Sequence, residues 1–313
     1  MLVLGIDIGG TSIKGAAVDE KGHIYDKFNV PVESGEAQEV TVNKMVDAIK
    51  TYLKTNHFDE PISAIGLGIP GSIDAKNGIV TYSNNLHWND LNIVKILNEH
   101  FAVPIKITND ANAAALGEAK FGAGRIYSNV VMLTLGTGLG SGVIIDGKIY
   151  EGSDGTGAEL GHVVICKDGV KCTCGRRGCL EQYASATALV RQTKEALELH
   201  PESAMHKIVE QDGKVSAKTP FIAAKMNDRA ALDVVNHYIE YLGTGICNIC
   251  NIFRPDCIVL SGGVSKEGEY LTSRLEDYCK FYHYGFFHSK EAIIKVAELG
   301  YDAGIIGAAT LVL

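Results

Sequence analysis

The feature that most constrains the fold is a hairpin written twice, about half a chain apart. The first copy opens with the apolar run 2–6 and Asp7-Ile8, turns through Gly9-Gly10-Thr11 and returns as Ile13-Lys14-Gly15-Ala16-Ala17-Val18. It turns again at Asp19-Glu20-Lys21-Gly22 and resumes with His23-Ile24-Tyr25. The second copy runs through 130–135, turns through Gly136-Thr137-Gly138-Leu139-Gly140-Ser141-Gly142, and continues as Val143-Ile144-Ile145. It turns at Asp146-Gly147 and ends in Lys148-Ile149-Tyr150. Apolar, β-branched runs broken by glycine turns read as strands. Each copy is therefore strand, turn, strand, turn, strand, and the repetition predicts an internal duplication.

The remaining pattern supplies helices to both copies. Residues 36–54 carry helical apolar spacing (Val40, Val42, Met45, Val46, Ile49, Leu53). Residues 64–69 read as a buried strand stopped by Pro70-Gly71, 91–100 as a short helix, and 104–108 as a strand ending at Asn109-Asp110. A helix over 111–120 follows. Residues 152–182 form an insertion rich in glycine and cysteine, and 184 to about 253 is helical with a polar break over 211–219. A strand over 257–260 runs into Ser261-Gly262-Gly263; a helix over 270–281, a strand over 292–296 and a helix of small residues over 303–311 close the chain. Strands alternating with helices mean α/β, and two such units imply a cleft between them where a ligand binds.

Composition narrows the function. The chain has 313 residues, 46% of them apolar and 21% charged, enough for a sizeable core and unlike a disordered chain. Its net charge of −8 suits neither a nucleic-acid backbone nor an anionic membrane. No stretch is long and apolar enough to span a bilayer, and the N-terminus lacks a basic region ahead of its apolar run. The eight cysteines show no disulfide framework, so reduced thiols and a cytoplasmic location are expected.

Three glycine clusters follow strands: Gly9-Gly10-Thr11, Gly136-Thr137-Gly138 and Gly262-Gly263. Glycine lets backbone N–H groups approach a phosphate, and threonine adds a hydroxyl. None is a P-loop or a dinucleotide fingerprint. Asp7, ending a core strand, needs a partner or a metal ion. Lys14 fits phosphate neutralisation or a solvated hairpin position equally well. Asn109-Asp110 reads as a helix N-cap or as a base at a strand's C-terminal end. The densest signal is His162, Cys172, Cys174 and Cys179, a Cys₃His set suited to tetrahedral zinc, with Gly175 and Gly178 allowing the turns. Glu159 and Glu181 flank it as acceptors for polyol hydroxyls. Cys247 and Cys250 lie in a helical pattern and read as small buried residues, as do Cys166, Cys257 and Cys279.

These motifs resemble the ROK family of sugar kinases and repressors. Asp7-Ile8-Gly9-Gly10-Thr11 with Lys14 is similar to its first phosphate motif, and Gly68-Ile69-Pro70-Gly71-Ser72-Ile73-Asp74 to a second motif. Asn109-Asp110-Ala111-Asn112-Ala113 and Leu135-Gly136-Thr137-Gly138-Leu139-Gly140 match two more. Glu159-Leu160-Gly161-His162 through Cys172 to Glu181 matches the family signature, although Thr173 and Arg176 stand where glycine and asparagine are common. Asn85-Leu86-His87-Trp88 is similar to the bacterial glucokinase branch.

The resemblance implies two actin-like (ribonuclease-H-like) domains around a cleft: residues 1–117 completed by the helix 301–313, and 118–300 with a zinc loop over 159–181. It implies ATP-dependent phosphorylation of a hexose 6-hydroxyl, most simply that of glucose, with structural zinc, magnesium carried with ATP, and a homodimer. Asp110 would be the catalytic base. Gly71, Asn109, Glu159, His162 and Glu181 would hold the sugar, with His162 also on zinc. Asp7 would sit near magnesium through water. Gly9, Gly10, Thr11, Lys14, Gly136, Thr137 and Gly138 would hold the phosphates, and Gly262 and Gly263 the nucleoside. The alternatives are an N-acetylmannosamine kinase or another ROK hexose kinase, and a sugar-sensing regulator. The regulator is disfavoured because the first strand begins at Leu2, with no DNA-binding helices ahead of it, and because a regulator has no use for a base.

Overall fold

The computed structural model describes residues 1–33, 35–282, 284–285 and 293–313. In chain order these form β1 (Leu2–Ile8), β2 (Ser12–Asp19), β3 (Ile24–Pro31), α1 (Gln38–Thr55), β4 (Ile62–Ile69), β5 (Ser72–Asp74), β6 (Ile79–Ser83), β7 (Trp88–Leu91), α2 (Ile93–Asn98), β8 (Ile105–Asn109) and α3 (Asp110–Lys120). There follow β9 (Val130–Leu135), β10 (Leu139–Ile145), β11 (Lys148–Ile149), α4 (Glu181–Ala184), α5 (Ala186–Leu199), α6 (Met205–Asp212), α7 (Thr219–Lys225), α8 (Arg229–Phe253), β12 (Cys257–Ser261), α9 (Glu269–Tyr282), β13 (Ile293–Val296) and α10 (Ala303–Thr310).

The duplication is present in the topology. One five-stranded sheet has the order β3-β2-β1-β4-β8, the other β11-β10-β9-β12-β13. Hairpin strands are antiparallel, whereas β1 with β4, β4 with β8 and β12 with β13 are parallel. The α/β expectation therefore holds. The chain divides into two compact units, Met1–Val130 with Gly142–Ala158 and Glu298–Leu313, and Val131–Ser141 with Glu159–Ala297. The first unit thus reaches beyond residue 117. Part of the reason is the buried Glu118 carboxylate, which accepts the N–H groups of Ala123, Glu298 and Leu299 at 2.9, 3.1 and 2.7 Å.

Period-two alternation in β1 decides which side chains go where. Leu2, Leu4, Ile6 and Ile8 face a large core beneath α1, with Met45, Ile49 and Trp88. Val3 lies on the opposite face, in a smaller core with Ala16, Val18, Ile305 and Ala309 of α10. Gly5 and Gly66 let α10 approach that face, because a Cβ on either would fall 2.1 and 1.8 Å from the carbonyl oxygens of Ile305 and Ala308. Asp7 shares the face of Val3 and Gly5, so it points toward the start of α10.

One sequence expectation changed. Residues 91–100 are not one helix, because Trp88–Leu91 is a strand and α2 begins at Ile93. That strand completes the small sheet β5-β6-β7, which the linear pattern did not show. Trp88 is wholly buried, and Asn92 caps α2 by accepting the Lys95 N–H at 3.0 Å. The break over 211–219 falls between α6 and α7, with Gly213 left-handed at φ +70°. Ala292, where the last strand was expected to begin, lies outside the described residues. Among the described residues no helix is long and apolar enough to cross a membrane.

Candidate active site and metal set

In the first unit, β8 ends at Asn109 and α3 starts at Asp110. The two residues divide the roles that the sequence left open. Asn109 is the N-cap: its side-chain oxygen accepts the N–H groups of Ala111 at 2.9 Å and Asn112 at 3.4 Å. Its amide nitrogen donates to the Gly71 carbonyl at 3.0 Å. Gly71 sits at φ +121°, and a Cβ there would meet the Tyr82 carbonyl oxygen at 2.2 Å, so only glycine fits. Asp110 accepts the Ala111 N–H at 2.9 Å. Burial raises its pKa, partly offset by that N–H.

Asp7 stands close enough to feel Asp110. Its pKa is raised to about 6, first by burial, then by the Asp110 charge, with Lys14 opposing. Lys14 is its cross-strand partner on β2, and the Lys14 ammonium lies 5.8 Å from the centre of the Tyr301 ring. Gly304 of α10 is pressed against the Asp7 carboxyl; a Cβ there would lie 2.5 Å from its carbon. Gly68 lets α3 sit this close to β4, since its Cβ would fall 2.9 Å from that of Ala113. The turn after β1 closes with the Gly9 N–H on the Ser12 carbonyl at 2.8 Å. Gly71, Asn109, Asp110, Asp7 and Lys14 are thus gathered at the C-terminal ends of β1, β4 and β8 and the start of β2. A half-buried acid whose pKa is raised by desolvation and by a neighbouring carboxylate fits a nearby divalent cation.

In the second unit the metal set assembles as the spacing suggested. One ligand atom each from His162, Cys172, Cys174 and Cys179 lie within 4.8 Å of one another. Thiolates held tetrahedrally at about 2.3 Å from zinc lie about 3.8 Å apart, and a thiolate and an imidazole nitrogen about 3.6 Å apart. Cys174 Sγ and Cys179 Sγ are 3.7 Å apart, and Cys172 Sγ is 3.6 Å from His162 Nδ1. The residues fit zinc. Burial and the neighbouring thiols push the Cys179 thiol up to about 12. That cost of forming the thiolate is what a bound cation would offset.

The turn is built by the Cys172 N–H on the Arg176 carbonyl (2.8 Å) and the Gly175 N–H on the Cys172 carbonyl (3.1 Å). Gly178 is obligatory, because a Cβ there would overlap the Cys166 carbonyl oxygen at 1.6 Å.

Glu181 opens α4 and touches both features of this unit. Its Oε2 accepts the N–H of Leu139, the first residue of β10, at 3.0 Å, and its Oε1 lies 3.7 Å from Cys172 Sγ. Gly138 lets Glu181 lie this close, since a Cβ there would meet Glu181 Oε2 at 2.5 Å and push the carboxylate aside. The Gly136 carbonyl accepts the Ala186 N–H at 2.8 Å, and the Thr137 carbonyl the Thr187 hydroxyl at 2.7 Å. Gly136 and Gly263 have open space where a side chain would stand, as a cradle for a ligand needs; Gly262 is at φ +88° against Leu135. Glu159 is exposed, immediately before the 3-10 turn Leu160–His162. Cys247, Cys250 and Cys257 are buried as expected, and Cys166 and Cys279 are half-buried.

Glu151 is a residue that the linear reading missed. Its carboxylate accepts the Thr108 hydroxyl and lies 3.4 Å from the Asn112 amide nitrogen, on either side of Asn109-Asp110. Nothing in the sequence marks it, because its partners are 43 and 39 residues away.

The ROK family sequence model matches residues 3–313. A glucokinase of Halalkalibacterium halodurans is 38% identical over 311 residues, 99% of this chain and 94% of the relative. The xylose repressor of Bacillus subtilis is 32% identical over 314 residues, covering 99% of this chain and 76% of the repressor. Among solved structures, a ROK family glucokinase from Streptomyces griseus in complex with glucose and AMPPNP superposes with a TM-score of 0.81 at 35% identity, covering 99% of both chains. Its relatives thus share the whole length over which the duplicated sheets, the capped acid after β8 and the Cys₃His turn were found. The chain belongs to the ROK family.

Proposed function

We propose that this chain transfers the γ-phosphoryl group of ATP to the 6-hydroxyl of a hexose, with glucose as the best acceptor. The observation that carries this reading is the division of labour at residues 109–110. Asn109 meets the capping need of α3, and the neighbouring Asp110 is a half-buried carboxylate of raised pKa at the C-terminal end of a parallel strand. A raised pKa makes it a better acceptor for a hydroxyl proton near neutral pH. The glucokinase relatives support the choice of sugar.

In the reaction, the sugar O6 attacks the γ-phosphorus, the bond from that phosphorus to the bridging oxygen breaks, and ADP leaves. The O6 proton passes to Asp110. Such transfers need positioning and charge compensation more than covalent chemistry. Gly9, Gly10, Thr11, Gly136, Thr137 and Gly138 would supply N–H and hydroxyl donors to the phosphates, Lys14 a positive charge, and Gly262-Gly263 a surface for the nucleoside. Magnesium bound with the nucleotide supplies further charge neutralisation, and Asp7 is the carboxylate that would hold it through water. Gly71, Asn109, Glu159, His162 and Glu181 would take the sugar hydroxyls.

Zinc would be structural in this reading, held by His162, Cys172, Cys174 and Cys179, and the His162 ring nitrogen not used for the metal would serve a hydroxyl. The free thiols suit the cytoplasm.

Coupled ATP-consumption assays over glucose, 2-deoxyglucose, N-acetylmannosamine and other hexoses test this. Glucose is expected to give the highest kcat/KM, and 2-deoxyglucose a large loss, since a site built to pair a hydroxyl penalises its absence. A higher kcat/KM for N-acetylmannosamine would remove glucose from the reading while leaving the kinase. No turnover with any hexose would favour the sugar-sensing alternative that the repressor relative raises.

A further inference from the structure

We infer that Glu151 is a positioning residue for phosphoryl transfer: its one carboxylate braces the strand end and the helix start that together present Asp110. The inference rests on the reading of Asp110 as the base. Thr108 is the last residue of β8 before Asn109, and Asn112 is the third residue of α3. Both are buried, at 1% and 5% exposure, and both turn a polar group to the same oxygen, Glu151 Oε1. Asn109 and Asp110 lie between these two attachment points. The corner is fixed from outside by Glu151 and from inside by the Asn109 cap.

Glu151 is itself held. Its carbonyl oxygen accepts the Gly157 N–H at 2.8 Å and closes the loop 151–157. Gly157 must be glycine, since a Cβ would lie 2.8 Å from that oxygen, and Gly155 abuts the carbonyl oxygen of Ile73 at 2.5 Å for the same hypothetical atom. The loop is therefore packed against β5, two residues beyond Gly71, while its first residue grips β8 and α3. It ends at Ala158, at φ +63°, directly before Glu159.

The carboxylate also borders a cavity of about 810 Å³ whose walls include Thr108, Leu116, Lys148 and Leu311, so neither rotamer space nor solvent would hold it in place without its two donors. A misplaced base costs rate without costing fold, because near-attack geometry is set to fractions of an ångström.

The test uses steady-state kinetics and melting of the full chain for Glu151→Ala, Glu151→Gln, Thr108→Val, Asp110→Asn and the double variant Glu151→Ala/Asp110→Asn. Glu151→Ala is expected to lower kcat about ten- to a hundredfold while KM for ATP stays within about twofold of wild type. Glu151→Gln, which keeps an acceptor oxygen, should restore most of the rate, and Thr108→Val should reproduce part of the loss. In the Asp110→Asn background, Glu151→Ala should cost little further rate, since no base remains to be placed. If Asp110→Asn keeps wild-type kcat, the reading of Asp110 fails. If Asp110→Asn loses rate while Glu151→Ala melts lower but keeps kcat, the brace is structural only and this inference is overturned. Equal rate loss for Glu151→Ala and Glu151→Gln overturns it as well.

Discussion

Asp110 and Asn109 differ by one position and do different work. A residue that only caps a helix can be exchanged between aspartate and asparagine at little cost, whereas alanine costs about 1 kcal/mol. With Asn109 as the cap, that cost belongs to Asn109→Ala. Asp110→Asn keeps the shape and cannot take a proton, so kcat should fall at least about a hundredfold while the melting temperature stays near wild type. Rate and melting measurements on both variants separate the roles; an Asp110→Asn enzyme within a few-fold of wild-type kcat would remove Asp110 from the chemistry.

Asp7 makes a second residue-scale prediction through its raised pKa of about 6 against 3.8 when unperturbed. Folding favours the protonated acid, so its favourable contribution is full below about pH 4 and is lost as pH rises through 6. In ligand-free protein, Asp7→Asn should therefore exceed wild type in unfolding free energy above pH 6, by up to about 3 kcal/mol, and match it near pH 4, as denaturant unfolding at each pH would measure. A difference independent of pH would show that burial of the charge is not the cause. The fold tolerates this cost where phosphate and cation are expected to bind.

At the scale of elements, the crossing of α3 and α10 sets where both acids stand. Gly307 and Gly117 make the crossing: a Cβ on Gly307 would fall 1.6 Å from the Ala113 carbonyl oxygen, and one on Gly117 2.6 Å from that of Ala303. Backbone cannot yield as a side chain can, so Gly307→Ala should destabilise by about 1–3 kcal/mol or more. Because α3 begins at Asp110, kcat should fall with it. A Gly307→Ala protein of unchanged melting temperature would contradict the packing. The run of small residues over 303–311 was legible as a helix. That its glycines serve α3 and β1 was not, because the partners lie up to about 300 residues away in sequence. The strand Trp88–Leu91 was misread for a related reason: four residues carry too little periodicity, and pairing with β6 decided the outcome.

For the whole molecule, the proposed reading predicts that sugar binding, metal binding and folding are linked. A ligand that binds only the folded chain, at a hundred times its Kd, adds about 2.7 kcal/mol to the unfolding free energy. Glucose should raise the melting temperature of the metal-loaded protein accordingly. After chelation, or in Cys174→Ala, the same glucose concentration should add little, KM for the sugar should rise, and nucleotide binding should largely survive. Elemental analysis finding no zinc in the pure protein, or glucose stabilisation that ignores the chelator, would break the link.

The sequence by itself determined the doubled strand–glycine–strand unit, the α/β class, the Cys₃His set and the acid after β8, because each is a local pattern of adjacent or closely spaced residues. Only the tertiary structure decided that Asn109 caps while Asp110 does not, that Asp7 is half-buried on the α10 face, that Glu181 reaches the start of β10 at Leu139, and that Glu151 meets Thr108 and Asn112. Burial and hydrogen-bond partnership are properties of pairs, and most of these pairs are closed by contacts spanning tens to hundreds of residues, a distance over which linear spacing carries no geometric information.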